Sequence, residues 1–210
     1  NDFTGLSFVC GATGAVTVIF TAADDCNNTS TTAATFTIED TTDPTIDTPA
    51  SDLTVECDGA GNAAQLAAWL ASNGGAAASD ACGGVSWSND FTGLSFVCGA
   101  TGAVTVTFRA TDDCGNFSET IATFTIEDTT DPTIDTQAAA ETVECDGAGN
   151  TTALNAWLAA NGGAAASDDC GGVTWSNNFS ALSDLCGATG AATVTFRATD
   201  DCGNFSETIA

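Results

Sequence analysis

The chain has 210 residues, of which 28 are Asp or Glu and only 2 are cationic, Arg109 and Arg197, so the formal charge is −26. Phosphate binding needs Lys or Arg to release counterions, so nucleic acid is excluded as a partner, and anionic membranes are repelled equally. No His or Lys is present to act as general base or Schiff-base amine, no Ser has a candidate base partner, and paired carboxylates such as Asp112-Asp113, which could mimic a glycosidase pair, recur in every repeat as catalytic sites rarely do, so the composition argues against an enzyme.

No apolar stretch approaches the roughly 20 residues of a membrane helix, so membrane insertion is not expected. So large a negative charge must be screened or met by cations, and hard carboxylate oxygens suit Ca²⁺ better than transition metals. The alternative reading is a solvated acidic surface that serves solubility.

The first element, NDFTGLSFVCGATGAVTV from Asn1, returns at Asn89, and NNFSALSDLCGATGAATV starts at Asn177, a period of 88 residues. That is too long for a solenoid unit, typically ~20–50 residues, and close to an immunoglobulin-like sandwich of ~100. Next comes IEDTTDPTID, Ile38–Asp47, repeated at Ile126–Asp135; its Pro44 and Pro132 interrupt the strand pattern and mark linkers. Residues 1–43 then read as the C-terminal part of a preceding repeat, 44–131 as a complete repeat, and 132–210 as a repeat lacking its last strand. Both ends fall inside a fold, and a longer native chain is expected.

Within the complete repeat, LTVEC (53–57) predicts a strand. GNAAQLAAWLASNGG predicts a short helix, with Leu66, Trp69 and Leu70 on one face, Asn62 as its cap and Gly74-Gly75 as its stop; Leu154, Trp157 and Leu158 repeat the stripe. The stripe fits core packing, with a sugar-binding face as the alternative. Val85 and Trp87 form an inward-facing pair. AVTVTFRA (103–110) alternates Val104, Val106, Phe108 and Ala110 against Thr105, Thr107 and Arg109, and ATFTIED (122–128) does the same with Ala122, Phe124 and Ile126. These two predict a hairpin turning at Gly115-Asn116. Arg109 and Glu119, like Arg197 and Glu207, flank that turn where the first copy has Thr21 and Thr31, which predicts a cross-strand ion pair. The fold class is mainly β: tandem immunoglobulin-like β-sandwich domains, each with one short inserted helix.

Ten Cys follow the period, four per complete repeat, and none has zinc-type pair spacing, so disulfides and an oxidising compartment are expected. A strand of about nine residues spans roughly 30 Å, which separates Cys98 from Cys114 far beyond bridging distance. In an immunoglobulin-like order Cys82 and Cys114 share one pole and Cys57 and Cys98 the other. The expected bridges are therefore Cys57–Cys98, Cys82–Cys114, Cys145–Cys186 and Cys170–Cys202.

The same order carries the linker to the pole of two acidic loops. Glu39, Asp40 and Asp43 are expected to meet Asp80, Asp112 and Asp113, and Glu127, Asp128 and Asp131 to meet Asp168, Asp169, Asp200 and Asp201. Carboxylates from two repeats and a linker could supply the 6–8 oxygens that Ca²⁺ takes, locking the joint.

TVTFRATDDCGN, TIATFTIEDTTDPTID, TVECDGAGN and AWLAANGG resemble the hyalin-repeat-like, immunoglobulin-fold modules repeated in giant secreted adhesins of Bacteroidetes, including gliding-motility adhesins. The resemblance covers essentially the whole chain, although the helix is not part of the simple hyalin repeat. It implies an extracellular or cell-surface filament whose partners are neighbouring repeats, with other filament chains or surface glycans as further candidates. The expected function is a structural stalk; the alternative is a repeated glycan- or surface-binding module.

Overall fold

The computed structural model describes residues 5, 7–183, 187 and 189–210. The protein is mainly β, as the alternation predicts, with several sheets and two short α-helices among the described residues. Among the described residues no helix is long and apolar enough to cross a membrane. The chain gathers into two compact units, Asn1–Leu53 with Gln65–Gly93 and Val104–Phe124, and Thr54–Ala64 with Leu94–Ala103 and Thr125–Ala210. Each unit therefore draws segments from successive 88-residue repeats.

In the first unit the strands Gly14–Ala23 and Thr29–Ile38 form an antiparallel hairpin, with Thr21 opposite Thr31. Thr45–Thr48 pairs with Ala77–Ser79, while Val85–Asn89 runs beside Gly102–Asp112, with Trp87 opposite Ala110. The alternation is realised as read: Val106, Phe108, Ala110, Ala122 and Phe124 are buried, and on the outer face the Thr105 and Thr123 hydroxyls meet at 3.0 Å. The helix Ala63–Ala71 ends in the turn Asn73–Gly75. Its Trp69, 5% exposed, lies edge-on to Phe108 at 5.2 Å and 5.6 Å from Phe124, and its indole donates to the Ser51 carbonyl. The Trp is core, and not a sugar platform.

The second unit repeats this plan in two sheets, Thr133–Thr136 with Ala165–Ser167, and Val173–Asn177, Thr195–Asp200 and Phe205–Ile209. Trp157 stands edge-on to Phe196 at 5.2 Å, and Val194, Phe196 and Ala198 are buried. The predicted cross-strand pairs form: Arg109–Glu119 at 2.7 Å in the first unit, and Arg197–Glu207 at 2.8 Å in the second. Each guanidinium also covers a ring, Phe117 at 4.0 Å and Phe205 at 3.9 Å.

The expected helix cap is corrected. Asn150 starts the helix Thr151–Ala159 in the left-handed region, without a side-chain cap bond. Its amide instead donates to the Glu144 carbonyl and accepts from Asp146 N–H. Asn62 makes the same two bonds, to Glu56 and Asp58. The amide thus folds the DGAGN loop before the helix rather than satisfying the helix itself.

Candidate functional site

Each unit contains one joint between successive sequence repeats, built from two acidic loops, a linker and an incoming cysteine loop. In the first unit Asp112 Oδ1 accepts from the backbone N–H groups of Cys114, Gly115 and Asn116 at 2.8, 2.6 and 2.9 Å, and Oδ2 accepts from the Asn116 amide at 2.8 Å. Burial pushes this carboxyl up, but the bonds from Asn116, Cys114 and Gly115 outweigh it and hold it below the usual Asp range. Asp80 Oδ1 accepts from Cys82 N–H at 2.7 Å, and Asp113 Oδ2 ties the loops together by accepting from Gly84 N–H at 2.9 Å. Asp200, Asp168 and Asp201 do the same in the second unit.

The linkers are fixed largely by neutral side chains outside the predicted acidic set. Asn116 donates to the Asp40 carbonyl at 3.3 Å and Ser118 to the Pro44 carbonyl at 2.7 Å; Pro44 is fully buried, as is Pro132 in the second unit. In the second unit Asn204 donates to the Asp128 carbonyl and Phe205 N–H to Asp131 Oδ1. There Glu56 accepts from Thr129 N–H at 2.8 Å and from the Thr129 and Thr130 hydroxyls at 2.9 Å. These bonds, Thr129 N–H foremost, hold the Glu56 carboxyl below its ordinary value.

The disulfides differ from those expected. They are Cys10–Cys114 in the first unit, and Cys57–Cys170 and Cys98–Cys202 in the second, with Cα–Cα distances of 5.1, 5.8 and 5.3 Å. The expected Cys57–Cys98, Cys82–Cys114 and Cys170–Cys202 bridges are thus replaced, while Cys145–Cys186 lies outside the described residues because of Cys186. The physical reason is the docking of a cysteine loop from one repeat onto the acidic pole of the next. In VCGAT the Thr13 hydroxyl donates to the Cys10 carbonyl at 2.6 Å and Ala12 N–H donates to the Cys82 carbonyl at 2.7 Å. In the second unit Thr101 bonds the Cys98 carbonyl and Ala100 N–H donates to the Cys170 carbonyl at 2.8 Å. Gly11 and Gly99, at φ +49° and +51°, let this happen, since a Cβ at either would overlap the Cys82 or Cys170 carbonyl. Cys82 and Cys114 do lie on adjoining loops, but the sulfur that meets Cys114 belongs to the preceding repeat.

Of the thirteen carboxylates expected to gather, the structure brings Asp40 and Asp80 together with Cys82, and Asp128 and Asp168 with Cys170, each set with ligand atoms within 4.8 Å of one another. A cavity of about 100 Å³ adjoins the second set, lined by Cys57, Asp128, Asp131, Asp168, Asp169 and Cys170 among others. Burial first, then Asp168, Asp200 and Glu56, push the Asp128 carboxyl up, opposed by Thr130 N–H. Cys170 is bridged and offers no thiolate, so the donor set is carboxylate oxygen, the chemistry of a hard cation. Asp112 and Asp200 brace their own loops, Asp113 and Asp201 tie the two acidic loops together, and Glu39, Asp43, Glu127, Asp131 and Asp169 are exposed.

No protein-family model matches this chain, and no curated protein does. Among solved structures it is similar to the structure of mouse clustered PcdhgC3 EC1-3, at 12% identity over 96% of this chain and 76% of that one, with a TM-score of 0.27. The three disulfides among the described residues fit an oxidising, extracellular-type compartment.

Proposed function

We propose that the chain is a stalk segment of a secreted, repetitive surface adhesin or fibre of the hyalin-repeat-like kind, in which disulfides fasten each repeat to the next and Ca²⁺ stiffens the joints. The observation that carries this reading is the register of the bridges: Cys10–Cys114 and Cys98–Cys202 are the same bond one period apart, each with a sequence separation of 104 residues. Cross-links between repeats resist separation under tension, which a binding module does not require. The calcium part is supported by the convergence of Asp40 with Asp80 and of Asp128 with Asp168. A divalent ion there would neutralise carboxylates that otherwise repel.

Small-angle scattering of the 210-residue chain tests both parts. Chelation is expected to lengthen the distance distribution of the oxidised chain, and reduction with alkylation to lengthen it further. Profiles unchanged by chelator remove calcium from the proposal. Profiles unchanged by reduction as well, together with saturable binding on a glycan array, replace the stalk with the glycan-binding module.

A further inference from the structure

The second unit shows how a VEC segment docks. Glu56 grips Thr129 and Thr130, Cys57 N–H donates to the Glu127 carbonyl at 2.8 Å, Cys57 is bridged to Cys170, and Gly59 sits so close to the Asp169 carbonyl that a Cβ would overlap it. One period earlier, in the first unit, the receiving groups recur as Thr41, Thr42, the Glu39 carbonyl and Cys82. Thr42 and Cys82 already hold the local bonds of the docked copy. Thr42 N–H donates to Asp40 Oδ1 at 3.1 Å as Thr130 does to Asp128 at 3.2 Å, and Cys82 N–H meets Asp80 at 2.7 Å as Cys170 meets Asp168 at 2.7 Å. Even the neighbouring contact is made, since Ala12 N–H holds the Cys82 carbonyl as Ala100 N–H holds that of Cys170. Yet Cys82 has no disulfide, and among the described residues no carboxylate reaches the Thr41 and Thr42 hydroxyls.

We propose that Thr41, Thr42, the Glu39 carbonyl and Cys82 form a docking site for the Val-Glu-Cys-Asp-Gly segment of a further repeat of this sequence, sealed by a disulfide to Cys82. The incoming Glu accepts from Thr41 N–H and from the two hydroxyls, and the incoming Cys N–H donates to Glu39. The covalent step is thiol–disulfide exchange: the Cys82 thiolate attacks the incoming cysteine held as a mixed disulfide with a small thiol, and that thiol leaves, so no net oxidation is required. The proposal rests on the bridge register and not on calcium.

The test uses the oxidised 210-residue chain and the peptide LTVECDGAGN, residues 53–62, carrying glutathione on its cysteine. The thiolate is the attacking species, so exchange is run at pH ~8.5. Peptide mapping is expected to find Cys82 coupled at least about tenfold faster than with a scrambled peptide of the same composition. The advantage should fall when the peptide Glu is replaced by Gln or when the chain carries Thr41→Val and Thr42→Val. Cys26, exposed and without a disulfide, reports the unselective rate. Equal coupling of Cys82 by the cognate and scrambled peptides, after normalisation to Cys26, overturns the proposal. So does a cognate advantage that survives both Thr substitutions and the Glu→Gln peptide.

Discussion

Replacing Cys98 and Cys202 together by Ser removes one of the two bridges formed by the described residues of the second unit. With a sequence separation of 104 residues, the bridge lowers the entropy of the unfolded chain by an amount worth about 4.7 kcal/mol. Cys57–Cys170 remains and shortens the loop that must close to stretches 57–98 and 170–202, on the order of 70 residues, for which the same relation gives about 4.4 kcal/mol. The logarithm makes the second bridge nearly as valuable as the first. The expected loss in guanidinium unfolding, followed by Trp fluorescence, is therefore about 4 kcal/mol, with a steeper denaturant slope because the unfolded chain loses a cross-link and expands. The single variant Cys98→Ser should leave Cys202 as the newly alkylatable thiol. A loss below about 1 kcal/mol, or a new thiol at Cys57 in place of Cys202, would refute the inter-repeat connectivity.

Trp69→Ala is expected to cost about 3–5 kcal/mol, because a buried ring in contact with Phe108 and Phe124 is deleted; thermal melts should show a smaller loss for Trp157→Ala, whose ring is only half-buried. A double-mutant cycle on Arg109 and Glu119 should give a coupling of at most about 1 kcal/mol, since their side chains are 47% and 39% exposed, and it should vanish in ~1 M salt. Urea midpoints measured across acid pH should fall as pH drops through the depressed values of Asp112 and Glu56, whose stabilisation is complete above their ordinary values of 3.8 and 4.5. Asp128 acts oppositely, its contribution being present at low pH and lost as pH rises through its elevated value, so Asp128→Asn should flatten that part of the profile.

Local chemistry was legible in the sequence wherever one period sufficed to specify it. Alternation located the buried faces of 103–110 and 122–128, the Trp69 stripe placed a core helix, and covariation of two positions found Arg109 opposite Glu119. Strand length correctly kept Cys98 away from Cys114. What the pattern could not supply was the partner repeat. When every cysteine recurs after 88 residues, a bond to the same repeat and a bond to the next have identical signatures, and only the folded poles distinguish them. The available hint was the Gly following Cys10 and Cys98, a residue that lets one backbone approach another closely. The acidic linker misled differently. Its order comes largely from neutral donors, Asn116, Ser118 and the two Thr held by Glu56, while several of its carboxylates face water.

The placement of the bridges gives the chain more than one covalent route past its linkers. The segment Ile126–Asp135 is spanned by both Cys57–Cys170 and Cys98–Cys202, and Ile38–Asp47 by Cys10–Cys114. A protease that cuts the Thr-rich stretch at 129–130 leaves two pieces still joined through two sulfur pairs, and a reductant alone leaves the peptide backbone whole. Severing the molecule at that joint needs a protease and a reductant together, so a nick that would shorten an ordinary string of domains passes here without loss of length.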